Sequence, residues 1–348
     1  MDISFQVDQS ANTALVGGSL SGNVILKASK QIRADKISLY FKGKEYTTVR
    51  HDHHFATDQH QFLRLDLEIP NERSIIVEKT VEPGTYEIPF SFQIPVTVPP
   101  SMEVKQRRGL HSESAKIGYF LRAIVGGSGI IKDYDSKCEI KVVSPPTVSP
   151  RETVVPHVEQ PMVHPVGHSG SLGLKHDAGE ITCGVKVLDT ELVSGQEPQM
   201  ILSIINDSTL AIKAIQLDLQ QVVAWWAASN NPLHGPAQKP FHSASATQTL
   251  TTKTIHLNKE DAFTKPNSNT VKLRLQDPSR PQANHQQILQ EISNGDTTAK
   301  HITLPPVPDL SLTTFQGQKI GVVHQISITL QTDASCLCLV QVVPVKIR

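Results

Sequence analysis

Polar and apolar residues alternate through much of this chain. Leu63-Arg64-Leu65-Asp66-Leu67-Glu68-Ile69 changes character at every position, which is the pattern of a strand in a sheet with one buried and one wet face. Ile88, Phe90, Phe92 and Ile94 share one face of another such stretch, and residues 271–275, 326–330 and 343–347 repeat the period of two. Pro89 and Pro95 flank residues 90–94; lacking amide donors, they predict an edge strand or a strand that breaks there, not one paired on both sides. Helical spacing is confined to residues 284–294, where Ile288, Leu289 and Ile292 lie between two asparagines able to cap a short helix or a loop. The pattern predicts an all-β protein.

The strands recur in one order. Gly18 to Leu26, residues 37–41, Ile94-Pro95 with Pro99-Pro100, and residues 116–123 are followed by a second series: Gly195, residues 200–205, residues 215–219, Leu304-Pro305-Pro306, and residues 319–326. A long-period repeat of strands and prolines argues for two copies of one β-sandwich. A length of 348 residues agrees, being enough for two independent cores of about 150 to 200 residues each. Between Ser144 and Gly170 stand Pro145, Pro146, Pro150, Pro156, Pro161 and Pro165, a density that predicts an extended linker. The expected division is therefore 1–143, linker 144–170 and 171–348.

Lys plus Arg and Asp plus Glu each number 33, for a formal net charge of zero. No global field draws the chain to nucleic acid, although a local patch remains compatible with that sum. No run approaches the ~18 apolar residues of a membrane span, and Met1 to Phe5 lack the regions of a signal peptide. Cys138, Cys183, Cys336 and Cys338 are too few and scattered for a disulfide framework. The chain is expected to be soluble, reduced and intracellular. It carries no phosphate-cradling glycine loop with lysine, no zinc-protease helix and no nucleophile elbow, so neither enzymatic activity nor a cofactor is expected. Trp225-Trp226 suits carbohydrate stacking or, given Val222, Val223, Ala224, Ala227 and Ala228 around it, a packed strand.

Residues 81–95, 98–101 and 117–123 together resemble the arrestin N-terminal domain, and Gly195, residues 204–208, 215–219, 304–306 and 320–326 resemble the arrestin C-terminal domain. The chain is most similar to the α-arrestin, or arrestin-domain-containing, branch. The resemblance implies two immunoglobulin-like β-sandwiches in tandem and no active site. It also implies an adaptor that binds cytoplasmic segments of membrane receptors or transporters and links them to endocytosis, ubiquitin ligases or sorting coats. The place would be the cytoplasm, with recruitment to the plasma membrane or endosomes. A subunit of a retromer-like endosomal coat is the alternative, and a carbohydrate-binding or enzymatic sandwich a third. Two features depart from the family: residues 3–9 hold no basic residue for sensing receptor phosphate, and no tyrosine follows the prolines of a ligase-recruiting Pro-Pro-x-Tyr motif.

Two segments are candidate sites. Residues 45–61 stand where arrestins carry the loop that probes a receptor, and Arg50, His51, His53, His54 and Phe55 are its candidate cargo contacts. Its histidines suit a transition metal or a polar hairpin tip. Lys105, Arg107 and Arg108 form a cationic cluster suited to phosphate or anionic headgroups, through which the chain would touch a membrane peripherally; solvated loop charges are the plainer reading. Arg122 alternates away from Leu121 and Ala123 and calls for a carboxylate partner; Lys141 sits near the place where the arginine of the buried network that locks arrestin domains together would fall, but the sequence shows no acidic partner for it, so that lock is not carried over and ordinary ion pairs are expected.

Overall fold

The computed structural model describes residues 1–51, 54–70, 72–108, 111–126, 133–145, 156–169, 175–228, 241–258, 280–294, 300–308, 313–332 and 337–347. Alternating stretches form strands throughout. A first sheet orders β1 (Asp2–Val7), β3 (Ser19–Ala28) and β8 (Gly84–Gln93) as β1-β3-β8. A second runs β2 (Thr13–Leu15), β11 (Tyr134–Val143), β10 (His111–Gly126), β5 (Lys36–His51) and β6 (His54–Leu67), with β9 (Met102–Arg108) added to β10. Two short strands, β4 (Ile32–Arg33) and β7 (Thr80–Val81), pair with each other, and a one-turn helix, α1 (Glu72–Ile75), lies between β6 and β7.

The inward faces of these two sheets form one core. Leu20, Val24 and Leu26 of β3 and Ile88 and Phe90 of β8 join Leu39 and Phe41 of β5, Leu121 and Ala123 of β10, and Ile140 and Val142 of β11. Aromatic rings bridge the layers: Phe41 lies 5.0 Å from Phe92 of the first sheet and stacks on Tyr119 at 5.6 Å. Tyr119 is fully buried and its hydroxyl donates to the Pro99 carbonyl, which satisfies the one polar atom the ring brings inside. The β5–β6 ladder shifts register between Gly43 and Lys44, where Phe62 is the extra residue and meets the Tyr119 ring edge-on at 5.6 Å. Beyond this bulge the inward positions of β6 change from odd to even numbers.

The second sandwich repeats the plan. One sheet orders β12 (His157–Ser169), β13 (Lys175–Val187), β15 (Gln199–Ser208) and β18 (Lys300–Thr303). The other orders β14 (Glu191–Leu192), β21 (Leu337–Ile347), β20 (Ile320–Thr332), β16 (Ile212–Ala228) and β17 (Phe241–His256), with β19 (Phe315–Gln316) on β20. Cys183, Val185, Leu202 and Ile204 pack there with Leu217, Leu219, Ile326, Ile328 and Val343. Cys183 and Cys138 are free thiols, and burial pushes Cys183 up to about 12, so it stays a protonated packing residue.

Several expectations change. The division is not contiguous: the first unit takes residues 1–146, 223–246 and 311–322, and the second takes 147–222, 247–310 and 323–348. The physical reason is length. β5 and β10 have 16 residues each and β3 and β8 have 10, so at ~3.3 Å per residue the second sheet outruns the first by about 20 Å. The uncovered inner face is closed by Val223, Trp225, Ala227, Ala244, Ile320 and Val322, which belong to the same apolar cluster. Much of the expected linker is also strand, because β12 pairs antiparallel with β13 from His157 to Ser169, with register shifts after Glu159 and Val166. Pro161 and Pro165 sit on this strand, at the edge of its sheet, where a missing donor costs least. Pro89 likewise lies on the edge strand β8. The candidate helix is α2 (Arg280–Asn294), starting four residues earlier than its asparagine cap suggests, with Pro281 in the first turn. The strand expected at 271–275 and Cys336 lie outside the described residues.

Replacing Phe41 by Ala should lower stability by about 3–5 kcal/mol, whereas Tyr119→Phe, which leaves only the Pro99 carbonyl unmet, should cost about 1–2 kcal/mol. Denaturant unfolding of the two variants checks the order; equal losses would refute the ring-packing account.

Candidate functional site

The arm of the second sheet that extends past the first sheet carries both candidate segments. Lys105 pairs with Ser114, Ser114 with Thr48, and Thr48 with Thr57, so four strands stand in one row. Side chains directly opposite in a ladder share a face, as do residues two apart on a strand. Arg107, two beyond Lys105, and the Arg50–Phe55 pair, two beyond Thr48 and Thr57, therefore join the same outer face. Two clusters at least fifty positions apart in sequence are brought together. Phe55 is 40% exposed. His51 pairs with His54 at the end of the β5–β6 hairpin, and Arg108 with His111 at the end of β9–β10; the side chains of these four residues, and His53 altogether, lie outside the described residues. Neither segment is a loop. Lys105 to Arg108 form the second half of β9, and residues 45–51 and 54–61 are ladder strand, since each has a partner strand to satisfy its backbone amides.

The outer face becomes more cationic along the sheet. Phe120 pairs with Lys42 and Lys42 with Arg64, while Arg122 pairs with Tyr40 and with Lys137. Lys42 Nζ lies 4.3 Å from the Tyr40 ring centroid and Lys137 Nζ 3.3 Å from that of Phe120. Arg64 is paired with Asp66 at 2.7 Å, Lys116 with Glu139 at 2.7 Å, and Arg122 with Asp135. The partner expected for Arg122 is thus Asp135 on the neighbouring strand, and the pair is half exposed rather than covered. Lys44 and Lys141 add further charge, and Lys141 is exposed on this face. Burial, reinforced by Arg64, Lys44 and Arg122, lowers Lys42; burial, reinforced by Lys116, Lys44 and Arg122, lowers Lys137. Mutual repulsion among cations is the mark of a local positive field, concentrated here in a chain whose charges sum to zero.

The opposite face of the same arm is dry. Glu45, Thr47, Val49, Ala56 and Ala115 are buried, and segments 223–228 and 315–320 lie within reach of their polar atoms. Thr47 donates to the Trp226 carbonyl at 2.9 Å, and Trp225 Nε1 donates to the Thr48 carbonyl at 3.1 Å. Trp225 is fully buried, so that half of the tryptophan pair is packed strand. Between β19 and β20 the chain turns through Gly317, whose amide donates to the Ile320 carbonyl at 2.8 Å. The Lys319 amide donates to Glu45 Oε2 at 3.1 Å. A Cβ at Gly317 would fall 1.9 Å from Glu45 Oε1, so only glycine admits the carboxylate into the turn. Lys319 Nζ meets Asp58 Oδ2 at 2.6 Å, and the Ala228 amide donates to the same oxygen at 3.4 Å. Burial pushes Glu45 above its ordinary value, against the Lys319, Ile320 and Gln318 amides and His60. Burial pushes Asp58 up too, but the Lys319 hydrogen bond, the Ala228 amide and the Lys319 charge outweigh it and hold that carboxyl low. Sequence reasoning missed this cluster. Its one local signal is a carboxylate, Glu45, at the odd-numbered positions that Phe41 and Val49 mark as inward.

With this geometry in place, comparison with known families is decisive for the first unit. Residues 3–149 match the arrestin (or S-antigen) N-terminal domain family. The match spans both sheets of the first sandwich and the whole basic arm, so the first unit is similar to that domain. The fold throughout is that of tandem arrestin-like β-sandwiches. No curated protein matches the chain significantly.

Lys319→Ala should lower stability by about 1–3 kcal/mol at neutral pH by leaving Asp58 half-buried without its ammonium. Because Asp58 is held low, that contribution is present above its ordinary value of 3.8 and disappears as pH falls through the lower folded value. Glu45 runs the other way. Its raised value makes its contribution full below 4.5 and lost as pH rises through the folded value. Denaturant titrations should therefore find wild type losing stability relative to Glu45→Gln as pH rises from 4.5 towards neutrality; a flat difference would refute the assignment.

Proposed function

We propose that this protein is an intracellular adaptor of the α-arrestin branch. The outer face of its long sheet binds acidic cytoplasmic segments of membrane receptors or transporters, and the bound cargo is handed to endocytosis, ubiquitination or endosomal sorting. The observation that carries the reading is the cationic and aromatic face built from Lys42, Lys44, Lys116, Arg122, Lys137 and Phe120, continued by Lys105, Arg107, Arg50 and Phe55 on the arm. Lysines at every second position repeat at about 6.8 Å, the spacing of alternate side chains in an extended peptide. Charge complementarity of this kind sets encounter rate and selectivity. Arrestin-family proteins are generally non-enzymatic adaptors, which agrees with a site made of charge and rings rather than an acid, a base and a nucleophile. Its place would be the cytoplasm, with recruitment to the plasma membrane or endosomes, where the arm would also lie near anionic headgroups.

A labelled Glu- and Asp-rich peptide should bind wild type at low ionic strength, weaken as salt is raised, and bind Lys44→Glu/Lys137→Glu about tenfold less tightly. Unchanged anisotropy titrations for the double variant would sink the assignment of this face. Proximity labelling in cells with the same pair separates the roles: transporters and ubiquitin ligases near wild type and lost from the variant support the adaptor, while stoichiometric coat subunits alone would favour the retromer-like alternative.

A further inference from the structure

β6 is the last strand of the second sheet: it pairs with β5, and among the described residues no strand pairs with its other edge. Pro89 interrupts the edge strand β8, and Pro161 and Pro165 interrupt β12, but β6 runs for 14 residues without a proline. An edge of this kind is a template for a further strand. What borders it past the Phe62 bulge is specific. Leu63, Leu65 and Leu67 pack against the core but are only half-buried, so the apolar row ends with its flank in water. Arg64 and Asp66 alternate with them on the outer face, both exposed, and pair with each other at 2.7 Å.

These five residues are complementary to a second set of themselves. Two copies of one strand related by a two-fold axis run antiparallel, and if residue i of one stands opposite residue j of the other, then j stands opposite i. With Leu65 on the axis, Leu63 meets Leu67 of the second copy, Leu65 meets Leu65, and Arg64 meets Asp66. Opposed residues share a face. The leucines then continue one apolar layer from sandwich to sandwich, and each carboxylate stands between its own guanidinium and that of the second copy. The nearest registers do not achieve this. Moving the axis to Arg64 opposes two guanidiniums, moving it to Asp66 opposes two carboxylates, and a slip of one residue opposes leucine to charge. We propose that this protein forms a two-fold dimer through residues 63–67 of β6, the occupant of the edge being a second copy of the chain. Five opposed pairs make a small interface, so the dimer is reversible and concentration-dependent. Because the axis stands perpendicular to the joined sheet, the basic outer faces of both copies look the same way, and an acidic partner with two segments would engage both. The dimer does not rest on the cargo reading, since neither Arg64 nor Asp66 is among the contacts assigned to cargo.

Sedimentation equilibrium of the full chain over a micromolar-to-millimolar series tests the dimer. Wild type should pass from monomer to dimer. Arg64→Asp and Asp66→Arg each place like charges across the axis and should self-associate about tenfold more weakly. Both also lose the ion pair within the chain, so the deciding sample is their equimolar mixture. There the two variant strands meet with opposite charges in both pairs, and a mixed dimer should form as tightly as that of wild type. Wild type that stays monomeric throughout, single variants that associate as wild type does, or a mixture no more associated than its components would each overturn the proposal.

Discussion

The excess length of β5, β6 and β10 over the strands of the opposing sheet is the constraint on which the first unit depends. A strand with one apolar face cannot end its burial where the facing sheet happens to stop. Val49, Ala56 and Ala115 would stand in water had nothing else covered them. Segments far along the chain do so, bringing Trp225 as the apolar plug and the Gly317 turn as the polar one. The cover is specific because Glu45, an acceptor placed on an apolar face, has to be met by amides, and Asp58 by an ammonium. Removal of any partner leaves a desolvated charge, which is why so small a cluster governs how the arm is clothed.

With the inner face closed in this way, the outer face is left to charge. Seven cations, Lys42, Lys44, Arg64, Lys116, Arg122, Lys137 and Lys141, share it with Asp66, Asp135 and Glu139, and two lysines lie against aromatic rings. Burial lowers Lys42 and Lys137, and repulsion from cations on neighbouring strands adds to it. One sheet thus divides its work by strand periodicity: odd positions of β5 hold the fold and even positions carry the charge.

Much of this was legible from residues in a row. The alternation in 63–69 and 88–94, the edge position marked by Pro89, the tandem order of strands and the packed setting of Trp225 all follow from local pattern. The basic cluster at Lys105 to Arg108 was visible as charge but read as loop, because nothing within that segment announces the partner strand at 111–117. The same blindness hid β12 behind its prolines, since proline is compatible with an edge strand as well as with a linker. It also hid the parity change at Phe62, which a bulge makes without altering composition.

The sequence by itself determined the fold class, the doubling of the sandwich and, where no bulge intervenes, which side chains of a strand face in, because these depend on period-two alternation and on the fixed chemistry of proline and glycine. Only the tertiary structure decided that Arg50 and Lys105 share a face and that Glu45 and Asp58 meet Lys319. Each of those joins residues tens to hundreds of positions apart, and strand pairing over such distances is chosen by the burial of whole sheets rather than by the residues that come to touch.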